Sequence, residues 1–180
     1  MSPLSILHAK PTHAGRVRAL VLIVGLLLGV FAVATSAAQP AGASVPRRTG
    51  QENAIAWSIK KLIDRERAQH HLPALRMNRD LRLSARRHDV AMAHQNTMSH
   101  QLPGEPFFGS RMSMAGYKWN YAGENIAWNS DMSQAGVTLL QNLMYGEKPP
   151  NDDHRLNILS RNYRDIGVDV YMDNRNHKVW

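Results

Sequence analysis

Two histidines and two glutamates stand in four short segments: Ser99-His100, Gly123-Glu124-Asn125-Ile126-Ala127, Met144-Tyr145-Gly146-Glu147 and Asp153-His154-Arg155-Leu156-Asn157-Ile158-Leu159. Two imidazoles with two carboxylates form a donor set for a hard or borderline divalent cation, Zn²⁺ foremost. With only two nitrogen ligands, coordination positions stay open for water or substrate. On such a site Glu124 or Glu147 has the chemistry of a general base acting on metal-held water. The chain has no cysteine, which excludes thiol catalysis and thiolate metal sites. His100 and His154 lie far apart, with no compact His-x-x-x-His motif around either, so only the fold can join them.

The elements that must position these residues are legible from periodicity. Ala54, Ile55, Ile59, Leu62 and Ile63 recur at three- and four-residue spacing and predict an amphipathic helix from about Asn53 to Gln69, with Pro73 preventing its continuation. Asn78 is a cap for a second helix carrying Leu81, Ala85, His88 and Met92 on one face and ending near Asn96. Pro103, Gly104, Pro106 and Gly109 make residues 98–115 an irregular connection. Residues 121–128 read as a short strand. Ser133 caps a third helix with Val137, Leu140, Leu143 and Met144 on its buried face, stopped by Pro149-Pro150. Asn151-Asp152-Asp153 cap a fourth. Residues 165–172 alternate apolar and polar as a half-buried strand, and residues 177–180 return after a turn. The order implies an α+β architecture with helices packed on a sheet.

The N-terminus reads differently. Lys10, Arg16 and Arg18, with no acidic residue, precede an apolar run from Ala19 to Ala34, and small residues follow, the pattern of a secretory signal over residues 1–38. Ser36-x-Ala38 suits cleavage before Gln39; Ala34-x-Ser36 serves as well. The alternative is an uncleaved anchor, although sixteen residues span roughly 24 Å against a hydrocarbon core of roughly 30 Å. Residues 39–50, rich in Ala, Gly and Pro, read as a disordered linker, leaving 51–180 as one domain. The expected location is secreted, periplasmic or in the cell envelope, with membrane contact only through the N-terminal segment. The formal charge is +8, but three of the 22 Lys and Arg and none of the 14 acids precede Gln39, leaving +5. Those charges are scattered beside acids along helix faces, which argues against nucleic acid as a partner.

Several residues have plain structural readings. His88 and His94 read as core-edge or surface histidines, His70-His71 as closing the first helix, Asn125 as satisfying backbone groups, and Arg155 as the ion-pair partner of Asp152 or a nearby acid. Tyr117, Trp119, Tyr121 and Trp128 read as packing; with Asn125 they flank the four site residues and would wall an apolar pocket.

Taken in order, Ser99-His100, Gly123 to Ala127, a helix ending in Glu147, His154-Arg155-x-Asn157-Ile158-Leu159, and Tyr163 to Val170 resemble the CAP superfamily: cysteine-rich secretory, antigen 5 and pathogenesis-related 1 proteins, in the cysteine-free branch of bacteria. Leu62 to Arg67, Leu72 to Leu75 and Ala85 to His88 extend the resemblance over about residues 53–180. It implies a three-layer α-β-α sandwich of the CAP/SCP type with a cleft holding His100, Glu124, Glu147 and His154. The histidines would bind a divalent cation, Zn²⁺ most readily, while the carboxylates orient imidazoles and water. Two departures stand out: Met144 replaces the family's Trp three residues before Glu147, and the family's last strand runs on past the position of Trp180, so either the chain is truncated there or a shortened strand suffices.

Two functions follow. One is a metal-modulated binding module for a small apolar or lipid-like ligand, or another extracellular partner. The other is a metal-dependent hydrolase of peptide or ester bonds, for which the sequence offers no oxyanion hole and no nucleophile placed by motif.

Overall fold

A computed structural model describes residues 45–180 together with the backbone of one N-terminal strand, β1 (Ser5–Ala9). The signal reading of residues 1–38 otherwise lies outside the described residues, as does the linker up to residue 44.

Helix α1 (Gly50–Ala68) opens with a capping box: Glu52 N donates to Thr49 Oγ1 at 3.1 Å, and Thr49 N donates to the Glu52 carboxylate at 2.7 Å. Caps of this kind contribute about 1 kcal/mol. The helix therefore starts three residues earlier than its apolar periodicity announces. Residues 45–49 are no free linker either. Arg86, buried on α2 (Arg79–Gln95), donates to the carbonyls of Pro46 and Arg47, and Arg48 pairs with Asp169.

Asn78 caps α2 by accepting from Asp80 N and Leu81 N, and Asn96, at φ 49°, closes it in the left-handed conformation that Asn tolerates. A short helix α3 (Phe108–Met114) replaces the irregular chain expected over residues 98–115. Gly109 there marks close packing rather than a turn, since a Cβ would stand 2.6 Å from the Trp119 ring. Beyond it lie β3 (Ala122–Ile126), α4 (Gln134–Gly146), capped by Ser133, and α5 (Asp153–Ile158). Leu140, Gln141 and Met144 form the buried side of α4, whereas Leu143 is half exposed, a one-residue rotation from the expected face.

The half-buried strand expected over residues 165–172 is broken. β2 (Arg76–Met77) pairs in parallel with β4 (Asp165–Ile166), and β5 (Met172–Asp173) pairs antiparallel with β6 (Lys178–Val179) around the expected turn. β1 runs antiparallel to β3, with Ser5 opposite Ile126 and Ala9 opposite Ala122. Helices flank this sheet layer on two sides. One core joins Ile55, Ile59 and Ile63 of α1 to Met144, Ile158, Val170 and Val179; the other joins Met92 of α2 to Leu102, Ile126 and Trp180. Each fully buried side chain of this size contributes about 1.5–3 kcal/mol. The result is the three-layer α-β-α arrangement.

Candidate functional site: two histidine–glutamate pairs

The four site residues form two pairs. His100 follows α2 in a turn, and its Nδ1 lies 2.9 Å from Oε1 of Glu124, in the middle of β3. Glu147 is the residue at which α4 ends; its carboxylate accepts from the backbone N–H of His154 at 3.0 Å and bonds Nδ1 of the same residue. The members of this second pair lie only seven positions apart, and the span suffices because Lys148 and Asn151 bridge across a tight turn at Pro149-Pro150. Both histidines are buried.

Each Nδ1 is thus held by a carboxylate, which fixes the ring. His100 Nε2 is buried with no hydrogen-bond partner among the described residues. At His100 this fits a cation held by its Nε2 and completed by solvent or other ligands. The four residues do not form a closed cage: no group of three or more His, Asp or Glu gathers to hold a metal among the described residues.

Three further residues complete the first pair. Arg111, on α3, reaches Glu124 Oε2 at 2.5 Å through Nη2, and its Nη1 donates to the His100 carbonyl at 2.9 Å and lies 2.9 Å from Glu105 Oε2. Glu105 Oε1 holds His88 Nδ1 at 2.9 Å, and His88 Nε2 stands 4.0 Å from Glu124. Burial pushes the Glu124 carboxyl up, but the His100 hydrogen bond and the charge of Arg111 outweigh it and hold the group below its usual value. Glu124 is therefore an anion, already engaged on both oxygens. His88 is no surface residue but a buried member of this network. Its place on the apolar face with Leu81 and Met92 was the available signal. Glu105 and Arg111 had none, because both lie in a stretch whose glycines and prolines read as loop.

The two pairs meet across β3. Asn125 Nδ2 donates to the His154 carbonyl at 3.1 Å, Asn157 Nδ2 donates to Asn125 Oδ1 at 2.8 Å, and the Tyr163 hydroxyl donates to Asn157 Oδ1 at 3.2 Å. Gly123 is required beneath this ladder, since a Cβ would lie 2.3 Å from the Tyr163 hydroxyl oxygen. Arg155 is not an ion-pair partner of Asp152: it donates to the Tyr145 carbonyl, and its guanidinium stacks 4.5 Å from that ring's centre. Planar guanidinium favours such a stacked, carbonyl-bound seat over an exposed carboxylate. His70 likewise turns its Nε2 to the Tyr145 hydroxyl at 3.0 Å.

A cavity of about 730 Å³ borders β3 and is lined by Tyr117, Trp119, Tyr121 and Asn125 among others. Tyr117 donates to Asp165 at 2.8 Å, and burial with that carboxylate pushes its phenol up to about 12. Trp119 Nε1 donates to the Gly109 carbonyl at 2.9 Å. Trp128 is not part of the cavity wall; it packs on Trp180, with ring centres 6.3 Å apart, under the Lys178 ammonium.

An α-β-α sandwich that carries carboxylate-fixed histidines defines a class of scaffold rather than a single chemistry. The model of the cysteine-rich secretory protein family, CAP, matches residues 60–180, and the chain belongs to that family. Among solved structures it is similar to an extracellular protein containing an SCP domain from Bacillus anthracis str. Ames, at 27% identity and a TM-score of 0.58. The match covers 70% of this chain and 41% of that one, so the chain spans less than half of that protein's length. Comparison with curated proteins finds no match. Among the described residues no helix is long and apolar enough to cross a membrane.

Proposed function

We propose that this CAP domain is exported and acts as a divalent-metal-modulated binding module, with His100 and His154 as the cation's ligands and the neighbouring cavity receiving an apolar or lipid-like ligand. The carrying observation is His100 Nε2, buried without a partner while Nδ1 is fixed by Glu124. A buried ring nitrogen left unsatisfied costs about 1–3 kcal/mol, and a cation removes that cost. Tyr117, Trp119 and Tyr121 supply apolar wall and Asn125 a polar contact, the usual make-up of a small-ligand site.

Binding is favoured over hydrolysis because both glutamates are spent on orientation: Glu124 on His100 and Arg111, Glu147 on the ring and backbone of His154. A general base needs an oxygen directed at water. Calorimetric titration with Zn²⁺ tests the reading. One site is expected in the native chain, lost in His100→Ala and strongly weakened in His154→Ala; unchanged affinity in both would refute histidine ligation. Lipid extraction with mass spectrometry then tests the cavity, and an empty extract with no lipid-induced rise in melting temperature counts against a lipid-like ligand. Hydrolysis of a peptide and ester library that both alanine variants abolish would instead establish the hydrolase.

A further inference from the structure

Residues 45–49 lead into α1 without helix or ladder of their own, and guanidinium groups hold them to the domain. Arg86 Nε donates to the Pro46 carbonyl at 3.2 Å and Nη2 to the Arg47 carbonyl at 3.3 Å. Arg48 Nε pairs with Asp169, and its Nη2 donates to the Arg82 carbonyl. Among the described residues, Arg48 with Asp169 is the one ion pair that this strap makes. Its seat therefore depends on the charge of a single carboxylate.

The buried acids around the strap differ in how firmly they keep that charge. Glu52 of α1 lies 3.1 Å from Arg86 Nη2 and accepts from the backbone N–H groups of Met172 and Thr49, at 2.9 and 2.7 Å. Burial pushes the Glu52 carboxyl up, but those two donors and Arg86 outweigh it and hold the group below its usual value. The Asp169 side chain is fully buried, and Arg48 from the strap and Arg82 and Arg86 from α2 face it. Burial nevertheless raises it. Asp89 of α2 hydrogen-bonds Asp169 and stands well above the usual range, pushed by burial and by the charges of Asp169 and Glu124 against the pull of Arg86. The pair's proton near neutrality thus resides on Asp89, and Asp169 carries the negative charge. As pH falls, Asp169 is neutralised while Glu52 stays ionised.

We propose that residues 45–49 form an acid-released strap: ionised Asp169 seats Arg48, and protonation of Asp169 frees the strap while Glu52 and Arg86 keep α1, α2 and Met172 joined. The sign follows from Arg48, which stabilises the anion only in the docked state. Docking is complete above the range in which Asp169 titrates and weakens as pH falls through it, by at most about tenfold per pH unit for one proton. Release lengthens the tether that precedes α1 by five residues, about 17 Å when extended. It also presents Arg47-Arg48 as unstructured chain, the form that a trypsin-like protease requires.

The absence of native cysteine makes the test direct. In the full chain, a nitroxide is attached at Arg47→Cys, an exposed strap position, and in a second sample at Lys61→Cys, on the exposed face of α1. The strap label is expected to be ordered at pH 7.5 and to become mobile with a midpoint above about 3.9, the ordinary aspartate value, while the α1 label stays ordered throughout. A strap label equally ordered at pH 4 and pH 7.5 overturns the proposal. So does an α1 label that mobilises together with it, which would mark general unfolding. Asp169→Asn is expected to free the strap label already at pH 7.5. Because that buried variant can fail to fold, Arg48→Gln provides the same reading from the strap side: its label is expected to be mobile from pH 4 to pH 8 on an ordered α1. A strap label that stays ordered in Arg48→Gln overturns the assignment.

Discussion

Arg111 grips Glu124 from α3 while its other terminal nitrogen holds the carbonyl of His100, so one guanidinium fixes both members of the first histidine–glutamate pair. Breaking a buried pair leaves an uncompensated charge and costs about 3–5 kcal/mol. Arg111→Leu is expected to lose that much in urea denaturation. Arg111→Lys, which keeps the charge but not the fork, should fall between the two. A Leu variant within about 0.5 kcal/mol of the native chain would show that Arg111 is dispensable.

His88 acts through its neighbours. His88→Gln preserves polarity at the Glu105 contact, whereas His88→Ala leaves Glu105 and a cavity behind, at a cost of about 1–3 kcal/mol. Zn²⁺ stoichiometry by calorimetry should be unchanged in both. Loss of the site in His88→Gln would make His88 a ligand in its own right.

Gly123→Ala should destabilise by about 1–3 kcal/mol, because the added methyl collides with the Tyr163 hydroxyl and Asn157. Pairing it with Tyr163→Phe, which removes the nearest atom, should recover part of the loss. Full additivity of the two in thermal melts would show that the contact does not matter.

Buried acids load the pH dependence in opposite directions. Burial, then the facing and hydrogen-bonded Asp169, pushes Asp89 well above the usual carboxylate range. Burial also raises Asp169, against the opposing pull of Arg48 and Arg86. A group raised on folding contributes fully below its unfolded value, about 3.9, and that contribution is lost as pH rises through the folded value. Glu124, held low, does the reverse: its contribution is present above about 4.3 and lost as pH falls. Asp89→Asn donates to Asp169 without needing a proton. Its urea midpoint, relative to the native chain, should therefore climb from pH 4 to pH 8. A difference independent of pH would exclude the shared-proton pair.

The helices and the site differ in how openly the chain displays them. α2 is readable because its cap, Asn78, and its apolar spacing agree with the packing that the fold imposes. α3 is hidden because Phe108 and Arg111 are held by distant partners, and Gly109 is there for the Trp119 ring rather than for a bend. The alternation over residues 165–172 describes a strand correctly in its burial, but a ladder needs a neighbour, and among the described residues none pairs with residues 167–170.

From the sequence alone come the absence of thiol chemistry, the family, the order of elements, and His100, Glu124, Glu147 and His154 as the residues to watch. These rest on local patterns and residue types, which survive without coordinates. Only tertiary structure decides that the four divide into two pairs, that Glu105, Arg111 and His88 lock the first, and that Arg155 leaves Asp152 for Tyr145. Pairing of buried charges depends on distances between segments far apart in the chain, and nothing in their local sequence encodes those distances.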